Sequence, residues 1–288
     1  MHCNLSLSVE QQIQNDLRKF WELEQTECLP GILSEEEIAY ENHFKKHFKR
    51  NDNGAFVVKL SLKMDIDKLG SSLYEAKKRL LDLERRLNNN DAYEKLYSDF
   101  IDEYIQLGHM SKVSKSESDT YSDYYMSHHG VYREDAITTS LKVIFDASLP
   151  SCTGFSLNNI LMIGPTTQQD LFSILVRFRQ HSIVIAADCT KMYRSVLVAP
   201  EDRHLQKILW RFSDNEPIDT YQLNTLTYGT APASFLAIRC LFEINNNVQT
   251  EYPDIVDIIK NDCYVDDSLI GADSVREARR VTELVLRY

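Results

Sequence analysis

No run of apolar residues in this chain approaches the roughly 18 that a transmembrane helix requires. The longest stretch near the middle is Ile183-Val184-Ile185-Ala186-Ala187. The N-terminus, Met1-His2-Cys3-Asn4-Leu5-Ser6, lacks a basic region followed by an apolar block, so no secretory signal is read there. The six cysteines are scattered and form no CxxC pair. That pattern points away from a zinc knuckle or a disulfide framework and toward reduced thiols in an intracellular compartment. Basic residues are in deficit: 32 Lys and Arg against 43 Asp and Glu leave a formal net charge of −11. Phosphate contacts draw on Lys and Arg, so this balance counts against a nucleic-acid partner. Internal repeats and long low-complexity tracts are also missing.

What is present is the mix of a folded protein. Of 288 residues, 43% are hydrophobic and 26% charged, enough to bury a core in one large or two modest domains. Wholesale disorder, a collagen helix and a coiled-coil rod are excluded. The first third reads as helical. Ile13, Leu17, Phe20, Trp21 and Leu23 recur at helical spacing over Val9 to Glu24, and Pro30-Gly31 stops the unit. Ser34 and Glu37 form a capping box for a helix whose apolar face is Ile38, Phe44 and Phe48. A turn at Asn51 to Gly54 leads into a strand over Ala55 to Leu60. Two further helices come next. Ser71 to Asn88 carries Ala76, Leu80, Leu83 and Leu87 on one side. Tyr93 to Leu107 carries Leu96, Phe100, Tyr104 and Leu107. Lys112 to Ser122 is a polar loop.

Near Tyr124 the character changes to short strands alternating with helices. Strands are expected at Lys142 to Phe145, Ile183 to Ala187 and Ile208 to Phe212. Helices are expected at Asp170 to Arg179 and at Pro232 to Gln249, the latter with proline in its first turn. Tyr264 to Ile270 reads as two short strands around an acidic turn. Ser274 caps a last helix, which runs to Tyr288 without a stop signal.

Four places could carry chemistry. Tyr264-Val265-Asp266-Asp267 sets two carboxylates side by side among β-branched and aromatic residues. Burying both ionised is unfavourable unless a hard divalent cation joins them, although an exposed Asp-Asp turn has the same sequence. Asp188 follows an apolar strand, 78 residues before Asp266. At a strand end it could meet the acidic hairpin and share metal ions suited to phosphoryl displacement, or it could merely cap a turn. Tyr228-Gly229 precedes a helix start, where backbone N–H groups can approach a ligand, as they do in many ordinary turns. Lys142 stands on a strand ahead of Asp146. It could hold a triphosphate or sit on a solvated face.

Taken in order, these blocks resemble a reverse transcriptase, and more closely the polymerase region of Bel/Pao-type LTR retrotransposon Pol polyproteins. The blocks are Ser127-His128-His129-Gly130-Val131; Val143-Ile144-Phe145-Asp146-Ala147-Ser148; Ser156-Leu157-Asn158-Asn159 with Leu161 and Gly164-Pro165; Ala187-Asp188 with Lys191-Met192-Tyr193-Arg194; Leu209-Trp210-Arg211; Leu226-Thr227-Tyr228-Gly229-Thr230; and Tyr264-Val265-Asp266-Asp267. Upstream, Phe20-Trp21-Glu22-Leu23-Glu24 and Leu107-Gly108-His109-Met110 look like the segment between protease and polymerase. The resemblance covers nearly the whole chain.

The resemblance implies an α+β, right-hand polymerase architecture. Fingers would interleave with a palm, a small antiparallel sheet backed by helices, after a helical N-terminal segment. The implied division is a helical segment over 1–50, a helical, fingers-proximal segment over 51–123, and fingers and palm over 124–288. The thumb is expected to be absent, since the chain stops 21 residues after Asp267. The implied activity is RNA-directed DNA polymerisation with two Mg²⁺ or Mn²⁺ ions. Asp188, Asp266 and Asp267 are the implied catalytic metal ligands. Tyr193 would lie under the deoxyribose and exclude a 2′-hydroxyl. Lys142 and Arg133 would grip the triphosphate. Tyr228, where many relatives carry Gln, and Gly229 would shape the nucleotide floor. Tyr264 and Val265 would touch the primer end. The implied partners are an RNA or DNA template with primer, dNTPs, and the thumb, ribonuclease H and integrase regions of the polyprotein, with no membrane. The implied address is a cytoplasmic virus-like particle. The alternative is a catalytically silent transposon remnant acting as an interaction module.

Overall fold

In a computed structural model of the chain, the described residues are 33–114, 123–135, 140–248 and 253–285. The expected helix over Val9 to Glu24 and most of the polar loop lie outside them. The chain divides into two compact units, Met1–Glu35 and Glu36–Tyr288. The second holds the sheets and the helices that position the site.

The fold is mixed α/β, with small sheets among several helices. Helix α1 (Glu35–His47) starts just after Ser34 and buries Tyr40 and Phe44. Ile38, expected on that face, is 47% exposed. Strands β1 (Lys49–Arg50) and β2 (Phe56–Val58) flank the expected turn, where the Gly54 N–H donates to the Asn51 carbonyl at 2.9 Å and Gly54 takes φ +81°. Helix α2 (Leu73–Leu87) buries Ala76, Leu80, Leu83 and Leu87, as its spacing predicts.

Helix α3 (Asp91–Gln106) meets expectation in part: Tyr104 is buried and Phe100 packs on the core, but Leu96 and Leu107 are exposed, and Tyr93, Tyr97 and Ile101 are buried instead. Tyr93 and Tyr97 are tolerated inside because their hydroxyls find partners. Tyr97 meets His128 Nδ1 at 2.6 Å, and Tyr93 donates to the Gly130 carbonyl at 3.1 Å.

Strand β3 (Met110–Lys112) is followed by the antiparallel pair β4 (Ser127–Tyr132) and β5 (Leu141–Asp146). Short α4 (Leu157–Ile160) opens with a capping box between Ser156 and Asn159. The Asp170 side chain caps α5 (Leu171–Phe178). Strand β6 (Ile183–Asp188) leads to β7 (Leu197–Val198), which pairs in parallel with β2. Strands β8 (Lys207–Trp210) and β9 (Asp219–Leu223) join β3 in an antiparallel sheet. Next come α6 (Ala233–Val248) and α7 (Pro253–Asn261), the second not anticipated from the sequence. Strands β10 (Cys263–Tyr264) and β11 (Asp267–Ala272) and helix α8 (Val275–Val285) complete the described chain. The Ser274 hydroxyl accepts from the Glu277 N–H at 3.2 Å at the start of α8, the cap its sequence predicts.

Burial follows two clusters. The larger joins α1, α2, α3, the β4–β5 pair and α6 through Phe44, Leu80, Ile101, Phe145 and Leu236. The smaller lies behind the β10-β11-β6 sheet, where Ile255, Ile258 and Ile259 of α7 and Val281 of α8 pack on Ile270. Arg211 fastens α2 to the end of β8 with two contacts to Glu84, both 2.7 Å. No helix among the described residues is long and apolar enough to cross a membrane.

Candidate functional site

The β10-β11-β6 sheet has two unlike faces. Along β6, Ile183, Ile185 and Ala187 are half-buried, whereas Val184, Ala186 and Asp188 are exposed. This is the period-two alternation of a strand with one covered face. Strand β11 pairs antiparallel with β6 in a register that sets Asp267 directly opposite Asp188. Cross-strand partners share a face, with Cβ atoms typically about 5 Å apart. The turn between β10 and β11 is Val265-Asp266, and the Asp266 carbonyl accepts from the Cys189 N–H at 2.7 Å. All three acidic residues read from the sequence therefore gather at one end of one sheet.

Their electrostatics are unbalanced. Among the described residues, no ion pair reaches Asp188, Asp266 or Asp267. Like charges directly opposite each other destabilise a ladder, and a divalent cation between them would remove that cost. No three His, Cys, Asp or Glu side chains among the described residues form a ready metal cage. Mg²⁺ commonly takes only one or two carboxylates and completes its shell with water and phosphate, so an open acidic edge fits it better than a cage would.

Val265, at the turn, has φ +56°. A β-branched residue in the left-handed region is strained, so something must hold it. Gln168 does so: its Oε1 accepts from the Val265 N–H at 2.9 Å, and its Nε2 donates to the Cys263 carbonyl at 3.4 Å. Tyr264, beside the turn, is exposed, and Val265 packs on the larger core cluster.

The chain leaving Asp188 turns at Lys191 (φ +61°) into a 3₁₀ segment, Met192–Ser195, that carries Tyr193. Glu103 of α3 pins this segment, pairing with Lys191 at 2.6 Å and Arg194 at 3.1 Å. The Lys191 contact, first among the causes, holds the Glu103 carboxyl below its usual range. Arg194 also lies over the Tyr104 ring at 4.8 Å.

Tyr193 and Tyr228 meet ring to ring, centroids 4.1 Å apart. Tyr193 is 4% exposed and Tyr228 38%. Burial raises both phenol pKa values, and the nearby Asp266 carboxylate adds to the rise. The Tyr193 hydroxyl meets Ser234 Oγ of α6 at 3.0 Å.

Gly229 takes φ +90°, and an added Cβ would run into the Phe145 carbonyl. The turn is clamped by Asn158, whose Nδ2 donates to the Gly229 carbonyl at 2.8 Å and whose Oδ1 accepts from the Ala231 N–H at 2.8 Å.

Lys142 and Arg133 stand apart from this group. Both are exposed, toward the far end of the β4–β5 pair from Phe145. Lys142 is three residues, about 10 Å, along the strand from Phe145. Neither pairs with the acidic residues among the described residues.

No protein-family model matches this chain, and no curated protein matches it. The chemistry open to the site follows from its residues. They supply an acidic edge suited to a hard cation, an aromatic pair beside it and a glycine turn that brings backbone close. Sequence reasoning assigns no role to Gln168, Asn158 or Ser234. Asn158 lies within one of the matching blocks. Gln168 and Ser234 carry no local signal, because their partners are distant in the chain.

Proposed function

We propose that this chain is the fingers-and-palm part of an RNA-directed DNA polymerase, similar to the reverse transcriptase region of Bel/Pao-type LTR retrotransposons. The observation that carries the reading is the register of β6 with β11, which sets Asp188 opposite Asp267 with Asp266 in the adjoining turn. The paired tyrosines next to that edge support it.

In this reading the primer 3′-hydroxyl oxygen forms a bond to the α-phosphorus of a dNTP. The bond from that phosphorus to the bridging oxygen breaks, and pyrophosphate leaves with the electron pair. Asp188, Asp266 and Asp267 would hold two Mg²⁺ or Mn²⁺ ions, which supply activation of the hydroxyl and neutralisation of the leaving phosphates. The protein's own part is to fix the acidic edge, to present the aromatic surface to the nucleotide, and to hold the turn at Gly229 close. Lys142 and Arg133, exposed on the β4–β5 pair, would supply cationic contacts to the triphosphate.

The test is primer extension on an RNA template with a DNA primer and Mg²⁺ or Mn²⁺. The chain is run beside Asp266→Asn and beside a version extended through a thumb. Extension abolished by Asp266→Asn supports the polymerase; silence in the extended version overturns it. The second reading, an interaction module, is favoured by α5. There Phe172 is 76% exposed, with Leu171, Leu175 and Val176 also open to solvent, the kind of apolar surface a partner could cover.

A further inference from the structure

The covered face of the β10-β11-β6 sheet changes character just short of the acidic turn. Ile185 of β6 stands opposite Ile270 of β11, and both pack in the smaller apolar cluster. The next row on that face is Ala187, Ser268 and Cys263, side by side across the three strands. All three side chains are small. The two polar ones meet each other, with Cys263 Sγ 3.2 Å from Ser268 Oγ. The wall opposite stays bulky, made of Ile255, Ile258 and Ile259 of α7 with Leu241 and Ile244 of α6. Small residues facing large ones on rigid helices leave a cavity of about 170 Å³. Val265 and Asp266 of the turn form another part of its lining. The cavity therefore lies directly behind the strand ends that carry the acidic edge.

We infer that this cavity is a binding site for a compact, uncharged apolar molecule the size of one aromatic ring, and that its occupant tightens divalent-cation binding at the acidic edge. The size follows from the volume, since apolar cavities of about 150 Å³ take up benzene-sized molecules. The absence of charge follows from the walls, because a charged molecule would lose its hydration among the isoleucines. The binding part stands on the cavity alone; the coupling rests on the polymerase reading, in which the carboxylates hold metal. Val265 joins the two. Its backbone is held at φ +56°, and it lines the cavity. An empty cavity leaves the turn room to relax toward α6 and α7, which takes Asp266 away from Asp188 and Asp267. An occupant withholds that room. A molecule that favours the gathered carboxylates raises their affinity for metal, and metal raises its affinity by the same factor.

The test titrates toluene into the full chain by calorimetry and follows Mn²⁺ binding by the paramagnetic resonance of the free ion. Wild type is expected to bind one toluene with Kd on the order of 1 mM or tighter. Ala187→Ile and Ile258→Phe fill the cavity from opposite walls, and each should weaken toluene at least tenfold while keeping a cooperative melt; two independent fillers guard against one that misfolds. Phe172→Ser, which breaks the exposed patch on α5, should leave toluene binding unchanged. Saturating toluene should tighten Mn²⁺ by about threefold, within the usual range of coupling between sites. Asp266→Asn should weaken Mn²⁺ and keep toluene. No toluene binding, binding that survives both fillers, or binding lost in Phe172→Ser overturns the site. Toluene bound in the cavity with Mn²⁺ affinity unchanged overturns the coupling and leaves the polymerase reading standing. Mn²⁺ that binds Asp266→Asn as well as wild type overturns the metal reading and the coupling with it, whereas the toluene results then still decide the site.

Discussion

Gln168 and Val265, 97 residues apart in sequence, share a 2.9 Å hydrogen bond that closes the back of the acidic turn. The Val265 N–H has no ladder partner in the turn, and its residue sits at φ +56°. The side-chain amide thus satisfies a donor and holds a strained backbone at once. Gln168→Ala removes the acceptor for Val265 and the donor to Cys263. The expected loss is about 1 kcal/mol of stability, together with a larger fractional loss of any Asp266-dependent activity than of global fold. Urea denaturation beside primer extension separates the two. Equal activity in both proteins would show that the hairpin holds itself.

The Asp188–Asp267 pairing predicts an unusual sign. In the absence of divalent metal, Asp267→Asn should stabilise the chain by a few tenths of a kcal/mol, because it relieves a like-charge pair across the ladder. Millimolar Mg²⁺ or Mn²⁺ should then raise the melting temperature of the wild type more than that of the variant. Differential scanning fluorimetry with and without metal reads both effects. A variant that melts lower without metal, and gains as much from it, would contradict the pairing.

His128 makes stability pH-dependent. It is enclosed between Tyr97, whose hydroxyl meets Nδ1 at 2.6 Å, and the Leu209 carbonyl, 2.9 Å from Nε2. Nε2 is the donor to that carbonyl, so Nδ1 accepts and the ring is neutral. Burial lowers its pKa from 6.5 to about 4, against the opposing pull of the Leu209 carbonyl. Between those values the unfolded chain holds a proton that the folded chain refuses. Stability therefore falls as pH drops from about 6.5 toward 4 and is flat above, with a full span on the order of 3 kcal/mol. Denaturation of wild type and His128→Gln at several pH values checks this. The variant should start less stable near neutrality but lack this part of the acid slope.

Gly229→Ala tests the turn next to Tyr228. With φ +90° and the Phe145 carbonyl in the way, the methyl group should cost about 2 kcal/mol or displace the turn. Circular dichroism melts report the first outcome, and a fall in nucleotide affinity at unchanged melting temperature reports the second. A variant identical to wild type in both would mean that the turn has room to spare.

The legible parts of this molecule are those with a strong local period or a punctuating residue. The apolar run ending at Asp188, the hairpin around Asp266 and the Ala76-Leu80-Leu83-Leu87 stripe emerge where the pattern sets them. For α3 the pattern gives the helix, Phe100 and Tyr104, but takes Leu96 and Leu107 as core in place of Tyr93, Tyr97 and Ile101. Its tyrosines are ambiguous until partners such as His128 are known, so the leucines look like the safer core. Helix α7 escapes the pattern because Pro253 opens it soon after another helix, where a proline reads as a breaker. In the site, carboxylates at strand ends announce themselves. Side chains that act across long loops, as Gln168 and Ser234 do, have no signature in a single sequence.

The alternation along β6 makes the site intolerant of one kind of change in particular. Losing or gaining a single residue between Ile183 and Asp188 would swap the two faces of the strand. The terminal carboxylate would then point into the helices behind the sheet, and an apolar side chain would take its place beside Asp267. Substitutions there can be graded, but a one-residue slip is all or none. The strand thus behaves as a ruler with two-residue divisions, and viable length variants should change the connecting loops instead.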